Sequence, residues 1–177
     1  AAAMIATDEK DKELSKITED LQQRISSEKN LKIRVKGLQV LVFVASQQRD
    51  QKALTEALKK LCVGKEAHDN SDKVIEFLNS MIIQEAKDAK DVKGQRLPTI
   101  SVAAREVLGS MDPEPDRLFV HVFELALRGM SDNKMRQSLV SNALQRAQKV
   151  LAALPKNSPR RSEAEAGIKI LQFDDIT

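Results

Sequence analysis

The chain has few aromatic residues: no Trp, no Tyr and only five Phe among 177 residues. Its core therefore has to be built from Leu, Val, Ile and Ala, which suits the packing of helices against helices. Proteins that bind single-stranded nucleic acid commonly stack the bases on aromatic side chains. The composition disfavours that class of function.

Cysteine and clustered glycine are also lacking. Cys62 is the only cysteine, so the chain cannot form an internal disulfide. We expect its thiol to be buried beside Leu61, as free cysteines commonly are. The six glycines stand singly, and no glycine-rich loop that could hold a phosphate is present.

Long apolar runs are absent as well. The longest one covers residues 40–45, whereas a membrane-spanning helix needs about 20 residues. No basic stretch followed by an apolar stretch marks a signal peptide at the N-terminus. We therefore expect an intracellular protein, most simply a cytoplasmic one.

Signals for catalysis or metal binding are weak. His68 and His121 lie far apart, and neither belongs to a recognisable metal motif, so we expect no metal and no cofactor. One polar strip stands out on an otherwise apolar helix, because its four members share a face at spacings i, i+4, i+7 and i+11: Arg117, His121, Glu124 and Arg128. This strip is either an acid–base pair flanked by arginines or a set of surface ion pairs. We favour ion pairs, and therefore predict that the protein is not an enzyme.

The strongest positive feature is an apolar seam near the N-terminus. Its members follow alternating spacings of three and four residues: Leu14, Ile17, Leu21, Leu31, Val35, Leu38, Val42 and Ala45. Arg24 and Glu28 are the two polar positions within it. Such a seam predicts a helix that packs along another helix, as in a coiled coil. The other helix can belong to the same chain, to a second copy or to a different protein.

A β-hairpin is the rival interpretation of residues 31–44. Apolar and basic residues alternate strictly over 31–36, and the stretch that follows Gly37 is rich in β-branched residues. We favour the helix because an isolated two-stranded hairpin is only marginally stable.

The rest of the chain also has helical periodicity. We expect helices capped by Asp50, by Ser101, by Asp112 and by either Ser131 or Asp132. The helix that begins at Asp112-Pro113 and runs to about Arg128 is apolar on nearly all sides over 118–127. Residues 91–99 contain Gly94 and Pro98 without periodicity, which indicates a linker. The predicted fold is all-α: an N-terminal coiled-coil helix or helical hairpin in 1–90, the linker, and a C-terminal helical bundle in 100–177.

Charge is distributed unevenly. The net charge is +3, but residues 117–161 contain nine basic and two acidic residues, and the remainder is net −4. A surface that could bind an anionic partner is predicted from six of these basic residues: Arg136, Arg146, Lys149, Lys156, Arg160 and Arg161. Nucleic acid and acidic proteins are both suitable partners.

Two functions follow as hypotheses. The first is a non-enzymatic protein-interaction module, such as an adaptor, assembly factor or scaffold. It would oligomerise or bind a partner through seven seam residues: Leu14, Ile17, Leu21, Leu31, Val35, Leu38 and Val42. The alternative is a nucleic-acid-binding regulator that uses the basic C-terminal surface.

Overall fold

The computed structural model describes residues 2–48, 50–91, 99–111 and 115–176, with side chains from residue 8 to residue 173 apart from 49, 89–98 and 112–114. These residues form nine α-helices and no β-strand: α1 (Ala2–Ser27), α2 (Leu31–Gln47), α3 (Gln51–Cys62), α4 (Lys65–Asp69), α5 (Ser71–Asp91), α6 (Ile100–Ser110), α7 (Arg117–Leu127), α8 (Asn133–Ala153) and α9 (Arg161–Ile176). The predicted all-helical fold is confirmed. The β-hairpin interpretation of 31–44 is wrong, because α2 covers this range.

Side-chain caps explain where several helices begin. Asp50 accepts a hydrogen bond from the backbone N–H of Lys52, and Asp132 caps α8 in the same manner. Asp50 was the predicted cap of its helix, and Asp132 was one of the two predicted candidates beside Ser131. Thr99, rather than Ser101, caps α6. Asp116 caps α7, whereas the predicted cap Asp112 lies outside the described residues.

The chain reverses direction between α1 and α2. Asn30 starts α2 by accepting hydrogen bonds from the backbone N–H groups of Lys32 and Ile33. The two helices then pack antiparallel, with Gln48 donating to the hydroxyl of Thr18 at 3.3 Å near the other end of α2. The predicted seam therefore does not lie on one continuous helix.

One hydrophobic core runs through the described part of the chain, from Ile25 in α1 to Leu171 in α9. α6 is central to it, because α6 packs against both α3 and α7. Most of the predicted linker, residues 92–98, lies outside the described residues. Among the helices of the described ranges, none has both the length and the apolar character needed to cross a lipid bilayer.

Candidate protein-interaction surface

The C-terminal half of the predicted seam belongs to the protein's own core. Val35, Leu38 and Val42 are only 3%, 8% and 0% exposed. They pack in the same cluster as the buried faces of α3 and α6. These three side chains therefore stabilise the fold and are not accessible to a partner.

The N-terminal half of the seam remains accessible. Ile17 is 42% exposed, and Leu14 and Leu21 are partly buried. The α1 residue that is buried in the core is Ile25, which the seam pattern missed because it lies beside the polar position Arg24. Leu31, at the start of α2, is 48% exposed.

Gly37 sets the distance between α1 and α2. A Cβ atom built on this glycine would lie 2.8 Å from Cγ1 of Ile25, which is closer than atoms of two side chains normally approach. The absence of a side chain at Gly37 therefore allows Ile25 to pack directly against the backbone of α2.

One side of the α1–α2 pair faces a cavity beside α3 and α4, which is lined by Gln22 and Ser26 of α1 and by Arg34 of α2. On α1, Ile25 also lines this cavity and Leu21 packs against the core, so Ile17 is the exposed seam residue of α1. On α2, three apolar residues lie 100–180° around the helix from Arg34 and are exposed to solvent: Ile33 (54%), Val40 (46%) and Phe43 (47%). We call these four residues (Ile17, Ile33, Val40 and Phe43) the outer face. Three of them lie on one side of α2, and Ile17 lies on α1 close to the C-terminal end of α2, where Thr18 meets Gln48.

The predicted basic surface is partly used inside the fold. Arg146 donates hydrogen bonds to the backbone oxygens of Leu108 at 3.0 Å and Met111 at 2.6 Å, and its guanidinium lies over the Phe119 ring. It thereby satisfies carbonyls at the C-terminal end of α6. The guanidinium group of Arg146 is therefore already hydrogen-bonded within the fold.

Arg161 has a similar role at the end of α8. Its guanidinium donates to the backbone oxygen of Leu154 at 3.2 Å, and its Nε pairs with Glu165 at 3.1 Å. Arg136 is partly exposed, and the other three residues of the predicted surface are exposed: Lys149, Lys156 and Arg160. The six residues therefore do not form a uniform, freely available basic patch.

The side chains of the polar strip on α7 do not form one connected set of contacts. Arg117 pairs with Asp72 of α5 at 2.7 Å, at an exposed position. His121 is half-buried, and its Nε2 atom has no hydrogen-bond partner among the described residues. Burial lowers the pKa of His121, which keeps the imidazole neutral at pH 7.

The most buried histidine contact was not predicted. His68 of α4 pairs through Nδ1 with Asp116, the same carboxylate that caps α7. These two residues are 48 positions apart in the chain, so no local sequence pattern could pair them. Glu66, two positions before His68, pairs with Arg34 at 3.3 Å.

Other reactive groups are poorly placed for chemistry. Burial raises the pKa of the Cys62 thiol to about 12, so it is protonated at neutral pH and a poor nucleophile. Within the described ranges, no group of three or more His, Cys, Asp or Glu side chains is arranged to hold a metal ion.

Comparison of the chain with protein-family models, with curated proteins and with solved structures finds no match.

Proposed function

We propose that this protein is a protein-interaction module and that the outer face of the α1–α2 pair binds its partner. The observation that carries this proposal is the division of the seam. Val35, Leu38 and Val42 of its C-terminal half are buried in the core. Ile17 of its N-terminal half stays exposed near the end of α2, a helix that exposes three apolar residues of its own. An apolar stripe on adjacent helices is a typical docking surface for an amphipathic helix.

The reach of α1 also supports the proposal. Because Thr18 meets Gln48 at the end of α2, residues 2–17 extend past that end by about 24 Å at 1.5 Å per residue. Between residues 8 and 17 every side chain except Leu14 is exposed. A partner helix that covered the outer face could continue along this extension.

The experiment compares two double variants by light scattering and by retention of proteins from extracts of the native cells. V40E/F43E places two charges on the outer face, whereas I83E/M135E places two charges on exposed apolar residues elsewhere. Wild type is expected to self-associate or to retain a defined partner. V40E/F43E should lose this association, because charged residues are strongly disfavoured in the centre of an interface.

The matched control should associate like wild type, which would show that added charge alone does not prevent binding. Unchanged association of V40E/F43E, with an intact fold by circular dichroism, would exclude the outer face as the docking surface.

The nucleic-acid hypothesis has less support. Arg146 and Arg161 are held by helix carbonyls, so fewer cations are available to neutralise phosphates than the sequence indicated. That hypothesis predicts binding that weakens steeply with salt, and absence of binding to DNA and RNA at low salt would remove it.

A further inference from the structure

A cavity of about 480 Å³ lies between α1, α2, α3 and α4. On α2 its lining residues Val35, Leu38 and Leu41 lie 80–160° around the helix from the exposed Ile33, Val40 and Phe43. Sites for small molecules typically have volumes of about 300–1,000 Å³. Helices surround this cavity on several sides. A helix with its side chains is about 10–12 Å wide, so a cavity of this volume suits a smaller ligand.

The floor of the cavity is apolar. It is formed by aliphatic side chains that are each less than 10% exposed: Ile25, Val35, Leu38, Leu41 and Leu61. Contact with such a floor removes hydrocarbon from water, which contributes about 0.8 kcal/mol for each buried CH₂ group. The floor therefore suits an alkyl chain.

The mouth of the cavity is cationic. Arg34, Lys60 and Lys65 line it together with one carboxylate, Glu66, so these four residues sum to a charge of +2. Glu66 is already paired with Arg34. Lys60 and Lys65 are exposed, and no carboxylate among the described residues forms an ion pair with either. Two ammonium groups are thus available above an apolar floor.

We propose that this cavity binds a single-chain amphiphile with an anionic head group. The alkyl chain would lie on the aliphatic floor, and the head group would sit between Lys60 and Lys65. Fatty carboxylates and alkyl phosphates share this chemistry, because both join one hydrocarbon chain to an anion that lysine can pair with.

Three probes with the same chain length test the proposal: dodecanoate, dodecyl phosphate and dodecyltrimethylammonium, each below its micelle-forming concentration. Methyl NMR of the full chain reports where each probe binds. We expect at least one anionic probe to bind saturably at one site, with shifts at Val35, Leu38 and Leu61 and none at Val40. Comparison of the two anionic probes shows whether carboxylate or phosphate is preferred.

Either of two results would overturn the proposal. One is binding of the cationic probe with an affinity equal to that of both anionic probes, which would mean that the lysines do not select the head group. The other is the absence of saturable shifts at the three cavity residues with both anionic probes.

A pair of charge-reversal variants tests the role of the mouth. K60E/K65E should weaken binding of the preferred anionic probe at least about tenfold, which is about 1.4 kcal/mol. K52E/K169E changes the net charge by the same amount at exposed lysines outside the cavity lining, and it should bind like wild type. Equal affinity of both double variants would contradict the assignment of Lys60 and Lys65.

Discussion

At the scale of single residues, Gly167 shows how one close contact can fix an amino acid. A Cβ atom built on this glycine would overlap the backbone carbonyl of Pro115, which cannot rotate away as a flexible side chain can. Gly109 lies in α6 and offers the opposite case, because among the described residues beyond its own helical turn and chain neighbours no atom lies within 4 Å of the position of its Cβ. The two glycines therefore respond differently to the same substitution.

We predict that Gly167→Ala lowers the free energy of unfolding by about 1–3 kcal/mol, although Ala is favoured over Gly in a helix by about 1 kcal/mol. Gly109→Ala should raise it by about 0.5–1 kcal/mol, since only the unfolded chain is restricted. Urea unfolding of both variants measures the difference. A stabilised Gly167→Ala would show that α9 does not approach Pro115 closely.

His121 makes a second prediction at this scale. Because burial lowers its pKa in the folded protein, the unfolded chain binds a proton more readily, and stability should fall as the pH drops below about 6.5. His121→Leu should remove this part of the acid dependence and also the unpaired Nε2 atom. Measuring the free energy of unfolding of wild type and of His121→Leu from pH 8 to pH 5 tests this prediction. The same loss of stability with acid in both proteins would contradict the prediction.

Residue-scale features were predictable where they depend on near neighbours. Asp50 could be identified as a cap, and the cap of α8 could be narrowed to Ser131 or Asp132, because a helix N-terminus requires an acceptor within a few positions of its first N–H groups. The pairing of His68 with Asp116 could not, since it depends on how α4 and α7 meet in three dimensions.

At the scale of elements, the seam illustrates what periodicity can and cannot establish. The spacing predicted helices through both halves, and both are helical. It could not show that the chain reverses at Asn30, because α1 and α2 each continue the same ladder of apolar residues. Which half would be covered by α3 and α6 also depends on tertiary packing, not on spacing.

The two halves of the seam should therefore differ in their response to charge. Val42→Asp places a carboxylate in the core and should cost at least about 3 kcal/mol of unfolding free energy. Ile17→Asp, at an exposed position of α1, should change it by less than about 1 kcal/mol. Thermal or urea unfolding measures both changes. Similar losses of unfolding free energy in the two variants would mean that the seam is covered along its whole length.

The contact of α8 with α6 gives another prediction at this scale. Arg146→Ala removes two hydrogen bonds to backbone oxygens and should lower the unfolding free energy by about 1–3 kcal/mol. Lys149→Ala, on the exposed side of the same helix, should change it by less than about 0.5 kcal/mol. If the two variants were equally stable, Arg146 would be a surface charge available to a partner.

At the scale of the whole molecule, composition and periodicity predicted the fold class, whereas the predicted functions stay hypotheses. Scarce aromatic residues and apolar spacings of three and four residues were sufficient to indicate an all-helical protein. The outer face was not visible in the sequence as a unit. Val40 and Phe43 belong to the apolar run 40–45, and the packing of α2 on α3 shows which side chains of that run remain outside the core.

The central claim is that the outer face of α1 and α2 contacts another protein, and site-specific photo-crosslinking in the native cells tests it most directly. A photo-reactive phenylalanine analogue would replace Phe43 on the outer face and, in a control protein, Glu56, which is exposed on α3. We predict one defined protein adduct from position 43, with this chain or with another, and none from position 56. The same adducts from both positions, or no adduct from position 43, would contradict the account.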